Sequence, residues 1–513
     1  MPFKDHVLDV VDDDPIAVAV AVAVATAAAG GGPPPPPPPP SSGLAEPEEI
    51  DSDPTSAVLR VALIGPRPDI TLLPHQEKGV TWMMAREHEN APLCRGGILA
   101  DDMGLGKTFQ TIALLKNSPY ALTTLILCPP ALLSGWTKEL KDCGYPVYTL
   151  DRYKTDGICV ATYNHAHLHA GAYRAANFGR VILDEGHIIR NGKATKRWWT
   201  CKALSKKSAC RWILSATPVQ NGLSDWTNLC IWLHVKSGPS TYSGLASTIM
   251  LRRTMEDLRS DAVMAESLPP PPVFVRHALL IPEETEEGKF FRSMADQLNS
   301  LVNSKISALI KLEFYMRVQQ FLVHPQMYIE AMRNKYKGAY PRPDWTGTAT
   351  KYTAFSEELA ASKEPTVVFC HFRAEMDMVE ALCLSLGRSV WSIRGGIGSD
   401  GIGRAVQEAK EASRTESSGV VVIVQIVAGG AGLNLQFCSR ILFLSQHWNP
   451  AVVHQACGRC VRIGQRGIVK VHLFSIVDEV ADNIDRRMLE LHLTKIAAAK
   501  GICESLYQGG AWE

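Results

Sequence analysis

The chain has 513 residues, 46% hydrophobic and 20% charged, which is globular in texture and too long for one ordinary domain. Its 53 basic and 52 acidic residues give a net charge of +1, which excludes a strongly basic nucleic-acid binder in bulk. The neutrality is an average: residues 1–60 hold ten acidic and two basic residues, which leaves +9 on the other 453.

The chain opens on low complexity. An Ala/Val run, Ile16 to Ala29, follows Asp12, Asp13 and Asp14, with a single lysine before it. A secretory signal needs a basic start, and a membrane helix needs about 20 apolar residues, so neither is expected and no membrane association is. Eight prolines, Pro33 to Pro40, hold an extended backbone that cannot enter a core. An acidic stretch follows, and residues 1–60 read as a disordered spacer. The 13 cysteines are irregularly spaced, as reduced thiols of an intracellular protein would be.

From Val61 the texture changes. GGILA, TLILC, GICVAT, RVILD and RWILS are short apolar runs separated by segments long enough for crossover helices. That alternation predicts a parallel sheet covered on both faces, spanning 61–254.

In GGILADDMGLGKTFQTIALL a strand ends at Ala100, a glycine turn follows, and a helix begins near Lys107. Gly104 and Gly106 let the backbone wrap a phosphate, and the helix N-terminus stabilises its charge. Lys107 is expected to reach the β- and γ-phosphates and Thr108 to hold Mg²⁺. Asp101 stands where the first glycine of the usual phosphate loop would be.

RVILDEGH supplies the acids a nucleotide hydrolase needs. Asp184 would hold Mg²⁺ and Glu185 would orient and deprotonate water. RWILSATPVQN follows, and its Ser215 and Thr217 would couple the acidic motif to nucleic acid. Read blandly, these are strand ends with polar residues.

Between Thr254 and Thr350 the strand signal fades. Met294, Leu298, Leu301, Leu309, Leu312 and Met316 recur at helical steps, and 255–350 is expected to be a helical insert. TVVFC, VVVIVQ and RILFL then predict a second α/β lobe over 351–478. There Gly430 and Gly432 permit close backbone approach. Arg459 and Arg462 lie three apart, so on a helix they would share a face and reach the γ-phosphate across a cleft. Cys457 and Cys460 form a CxxC without a second pair, so no structural zinc is expected. Residues 479–513 read as a helical segment.

In this order the motifs resemble those of the Swi/Snf family, the DNA-translocating branch of helicase superfamily two. LLPHQEKGVTWM, ILADDMGLGKTFQ, LILCPPALLSGWTKEL, CVATYNHA, DEGH, SATPVQN, MLRRT, VVFCHFRAEMD, GGAGLNL, HWNPAVVHQA and GRCVRIGQ cover about 70–490. DEGH followed by IIRN is similar to the subgroup of the helicase-like transcription factor, whose ring finger is missing here. Val461 replaces a common histidine.

The resemblance implies two RecA-like lobes that bind ATP and Mg²⁺ in the cleft between them. By that match Gln76 contacts adenine. Asp102, Met103, Gly104, Leu105, Gly106, Lys107, Thr108 and Gln465 hold ATP, while Asp184, Glu185, Arg459 and Arg462 act in catalysis. Double-stranded DNA is the implied partner, with nucleosomes or DNA-bound proteins displaced without strand separation, in a nucleus, for chromatin remodelling or DNA repair. Two other readings stay open: an RNA- or single-strand-directed helicase, and a catalytically silent DNA-binding scaffold.

Overall fold

A computed structural model describes residues 70–118, 122–150, 157–220, 222–236, 245–302, 307–415, 419–426, 433–477 and 484–488. The expected tail, Gly430 and Gly432, and most of the expected C-terminal segment lie outside the described residues.

The apolar runs become parallel strands. The first sheet contains β1 (Gly96–Leu99), β2 (Thr124–Cys128), β3 (Val147–Tyr148), β4 (Ile158–Thr162), β5 (Arg180–Asp184), β6 (Cys210–Leu214) and β7 (Met250–Leu251), in the order β3-β4-β2-β5-β6-β1-β7. All five longer strands are buried almost end to end because helices cover both faces. One apolar layer gathers Ile98, Leu125, Val181 and Ile213 with Trp198 and Trp226. The other gathers Leu99, Ile126, Ile182 and Trp212 with Trp136.

Glu87 and Arg180 form a buried ion pair in this lobe. Glu87 ends the helix Pro74–Glu87 and is 0% exposed. It accepts from Arg180 Nε at 2.6 Å, Trp212 Nε1 at 2.9 Å and Ser118 Oγ at 2.9 Å. Such a pair adds little net stability against apolar packing, yet losing one partner costs about 3–5 kcal/mol. Its role is to fix how the first helix sits on β5 and β6.

The second sheet contains β8 (Val273–Leu279), β9 (Thr366–Cys370), β10 (Ser389–Ile393), β11 (Val420–Gln425), β12 (Arg440–Phe443) and β13 (Lys470–Ile476), in the order β10-β11-β9-β12-β13-β8. Its edge strand corrects one expectation. The strand signal does not end at Thr254, because β8 lies inside the stretch read as a helical insert and pairs with β13 in parallel register, Val273 opposite Lys470. Its burial only alternates between half-buried and exposed, and Arg276 and His277 interrupt its apolar residues, so the strand signal is weak.

The remainder of that stretch is helical: Glu286–Val302, Ala308–Val323 and Pro325–Lys335. The inward face differs from the expected one on the second helix. Leu309 and Met316 are exposed, while Tyr315, Val318, Phe321 and Leu322 are buried. These helices pack with Trp448, Ile476, Ile484 and Met488, so they belong with the second sheet. Among the described residues no helix is long and apolar enough to cross a membrane.

Candidate nucleotide site

Strands β5, β6 and β1 are neighbours in the first sheet, and each ends in one expected motif. The acids follow β5, the coupling residues follow β6, and the phosphate loop follows β1. Parallel strands place all three at the same edge, where α/β sheets bind ligands.

The loop after β1 turns on Gly104 and Gly106, with φ of +84° and +83°. Both lie in the left-handed region that glycine enters without strain. A Cβ on Gly106 would also stand 2.4 Å from Gln76 Nε2. Gln76 is buried against this loop and donates to Leu105 O at 3.1 Å. The helix Lys107–Asn117 follows. Lys107 Nζ donates to Asp101 O at 2.6 Å and Asp102 O at 3.2 Å, so carbonyls of the loop hold the ammonium at the helix start. Burial pulls the lysine below its usual range, and the charges of Glu185, Asp101 and Asp184 oppose that pull.

Asp101 explains the departure from the glycine pattern. It is 0% exposed and accepts from Arg253 Nε at 2.9 Å, Arg253 NH2 at 2.5 Å and Gln110 Nε2 at 2.9 Å. Its carboxylate braces the loop from behind and is committed to Arg253, far away in the sequence. Asp102 continues the brace, with Oδ2 accepting from Met255 N at 3.2 Å. Neither pairing was legible in the sequence, because the two partners lie about 150 residues apart.

Asp184 ends β5. Its Oδ1 accepts from Glu185 N at 2.9 Å and its Oδ2 from Trp136 Nε1 at 2.7 Å. Burial first, and the charge of Glu185 second, push Asp184 up to about 6, while the Trp136 donor works against them. Glu185 is held in the left-handed region at φ 50°. A non-glycine residue there stores strain, which is a feature of functional sites. Its carboxylate goes the other way: burial would raise it, but His187, Arg459 and Lys107 together hold it below the usual range. Oε2 of Glu185 makes no hydrogen bond and lies 3.4 Å from His187 Nδ1. The acid pair therefore divides into one carboxyl that protonates easily and one that stays ionised.

A polar chain leaves this point. His187 Nδ1 is 3.0 Å from Ser215 Oγ, which accepts from Thr217 N at 3.3 Å. Gln220 Nε2 donates to Thr217 Oγ1 at 3.0 Å, and Gln220 Oε1 accepts from Asn449 Nδ2 at 3.0 Å. The chain crosses from the first lobe into the second. The sequence reading found Ser215 and Thr217 but missed Gln220 and Asn449, whose match is visible only once the lobes face each other.

The second lobe closes the cleft. The helix Pro450–Cys457 stops before the arginines, so Arg459 and Arg462 sit in the turns after it and do not share a helical face. Gly458 at its C-cap was the signal for that stop. The turns still aim both residues at the first lobe. Arg459 is 4% exposed and interacts with Glu185 and Asp184. Arg462 packs its Cα where a Cβ on Gly104 would stand at 3.0 Å. Burial lowers both guanidiniums, and Arg459 adds to the effect on Arg462, which falls to about 9. One buried and one half-buried cation at one cleft raise the demand for an anion between the lobes.

Gln465 is half-buried nearby, its Nε2 donating to Gln436 O at 2.6 Å. Met103 packs against Gly458, and Leu105 is buried with Met264 and Leu268. The cysteines of the CxxC are buried in the apolar layer of the second lobe. The Asp184 carboxylate at the β5 end and the Thr108 hydroxyl in the first turn of the helix Lys107–Asn117 are hard oxygen donors, of the kind that fits Mg²⁺.

Comparison with known proteins adds three findings. The SNF2-related domain matches residues 75–241, and the helicase conserved C-terminal domain matches 350–464. A probable global transactivator of Orgyia pseudotsugata multicapsid polyhedrosis virus is 25% identical over 458 residues, covering 81% of this chain and 88% of that protein. The SWI/SNF-related matrix-associated actin-dependent regulator of chromatin subfamily A member 1 of Mus musculus is 26% identical over 488 residues, 83% of this chain. The match takes in 43% of the mouse protein, so this chain spans less than half of it. Among solved structures, the Sulfolobus solfataricus SWI2/SNF2 ATPase core in complex with dsDNA is similar at 23% identity and a TM-score of 0.36, over 86% of this chain and 98% of that one.

Proposed function

The chain belongs to the Swi/Snf family of superfamily-two, helicase-like ATPases, and from that premise we propose that it is a double-stranded DNA translocase driven by ATP hydrolysis in the cleft described above. The observation that carries this reading is the convergence of Lys107, Glu185 and Arg459 at one cleft, each from a different motif and the last from the other lobe.

The phosphate loop would receive the triphosphate, and Lys107 would exchange its carbonyl partners for phosphate oxygens. Thr108 and Asp184 would hold Mg²⁺, which supplies charge neutralisation on the phosphates. Glu185, ionised and half a hydrogen-bond shell short, would accept from the attacking water. Arg459 and Arg462 would stabilise the charge developing on the transferred phosphoryl group, which requires the lobes closed. Gln76 and Gln465 are the proposed nucleotide contacts beyond the phosphates.

Closure is what the polar chain from His187 to Asn449 would report to the second lobe. DNA would lie across both lobes, held by phosphates and therefore salt-sensitive and nearly sequence-blind. The modest +9 outside the first 60 residues requires the basic residues to cluster along that track. We extend the proposal to the remodelling of chromatin or other protein–DNA complexes, in a nucleus, because the similar mouse protein is a regulator of chromatin.

The test is ATPase activity with double-stranded DNA, single-stranded DNA and RNA, alongside a triplex-displacement assay for translocation. Stimulation by duplex DNA with displacement supports the proposal. Preference for RNA, or ATP turnover indifferent to every nucleic acid, rejects it.

A further inference from the structure

At the edge of the second sheet lies a cluster that the nucleotide site does not use. His277 on β8, His472 on β13 and Glu358 on the helix Thr350–Ala361 bring one donor atom each to within 4.8 Å of one another. We infer that these three side chains form a binding site for one divalent ion of the zinc class, which pins β8 and the helix to the body of the second lobe.

The separations suit a shared ion. His277 Nε2 is 3.1 Å from His472 Nδ1, His472 Nδ1 is 3.4 Å from Glu358 Oε1, and His277 Nε2 is 4.0 Å from Glu358 Oε2. Tetrahedral ligands about 2.0–2.1 Å from zinc lie roughly 3.3 Å apart. Two imidazoles and one carboxylate are an established donor set for this ion, with water as the fourth ligand.

The surroundings set the orientation. The His277 ring stacks on Phe474 at 4.3 Å and 10°. Arg440 NH2 donates to Glu358 Oε1 at 2.5 Å and to Glu358 O at 2.8 Å, holding the carboxylate as outer-shell donors hold metal ligands. His472 is buried at 7% side-chain exposure, whereas His277 and Glu358 keep 22% and 24%, so the site has a mouth for the ion and its water. Arg440 also opposes a dication, so the affinity expected is micromolar rather than that of a four-ligand structural site.

Cysteines gave no sign of this site, and the sequence expectation of no structural zinc rested on them. The ligands lie 81 and 114 residues apart and come together only because β8 joins the second sheet.

The experiment is calorimetric titration of the full chain, stripped with chelator, with Zn²⁺ in excess Mg²⁺. Co²⁺ substitution, followed by visible absorption, reports ligand geometry. One ion with a Kd of about 10 μM or tighter is expected, with a rise in melting temperature. His277→Ala and Glu358→Gln each lose more than the roughly 10–100-fold that an outer-shell change removes, and both keep nucleic-acid-stimulated ATPase activity. If His277→Ala fails to fold without metal, Glu358→Gln decides alone, since its amide oxygen can still accept from Arg440. No bound ion, or an ion bound equally by the folded variants, overturns the site and leaves a hydrogen-bonded trio.

Discussion

In the first lobe the lysine, the acids and the coupling hydroxyls all sit where parallel strands end. In the second lobe the two arginines sit in turns after a short helix, Pro450–Cys457. The first arrangement is rigid, because β1, β5 and β6 are hydrogen-bonded neighbours and their ends move together. The second is positioned by contact with the first lobe, through Gly104, Met103 and Glu185. The two arrangements divide the labour between the lobes. On the proposed reading, the first lobe holds nucleotide by its own loop and the second completes the site where the lobes meet.

The largest expected effect separates binding from turnover. Glu185→Gln is expected to lower kcat by roughly 10²–10⁴-fold while ATP still binds. Arg459→Ala should also cut kcat by about 10³-fold, with ATP affinity little changed, because its partner charge develops only in the transition state. Single-turnover hydrolysis and fluorescent-nucleotide binding check both. Equal losses of affinity in the two variants would erase the distinction between the lobes.

The next largest effect concerns stability and belongs to the first lobe. Glu87→Gln leaves Arg180, 2% exposed, without its buried countercharge. Chemical denaturation should show a loss of about 3–5 kcal/mol. Arg440→Met removes the partner of Glu358, which is 24% exposed, and should cost much less. A reversed order would mean that the second lobe carries the more consequential ion pair.

The division also explains what the sequence could disclose. Strand-end motifs such as DEGH and SATP are contiguous, so their spacing and their apolar lead-in were readable. The two-sided cover of TLILC and RVILD was readable for the same reason. The Asp101–Arg253 brace, the Glu87–Arg180 pair and the Gln220–Asn449 bridge join residues far apart, and no local pattern announces them. β8 gives only a weak signal because Arg276 and His277 interrupt its apolar residues, and the three-residue spacing of Arg459 and Arg462 suggests a helix that in fact ends at the Gly458 cap.

Acid should separate the paired carboxyls. Asp184 titrates near 6, so kcat/KM for ATP, which reports the free enzyme, is expected to fall as pH drops through that value. Trp136→Phe removes the donor that lowers Asp184. The acid limb should then move to higher pH, by about one unit. Glu185 is held low and contributes no limb in this range. A limb that ignores Trp136→Phe would assign the titration to another group.

The smallest effect tests the bridge between the lobes. Asn449 has two jobs: its Oδ1 caps the helix Pro450–Cys457 by accepting from Ala451 N at 3.1 Å, and its Nδ2 donates to Gln220. Serine keeps the first job, as a good N-cap, and is too short for the second. Asn449→Ser should therefore leave stability within about 0.5 kcal/mol of the parent. It should leave basal ATP turnover intact and reduce only the stimulation by DNA, by about two- to fivefold, the equivalent of one neutral hydrogen bond. Asn449→Ala would lose the cap as well, so a stability loss confined to alanine separates the two jobs. If serine abolishes basal turnover, the bridge belongs to the catalytic geometry itself, and the first lobe is not the self-sufficient half that its strand ends imply.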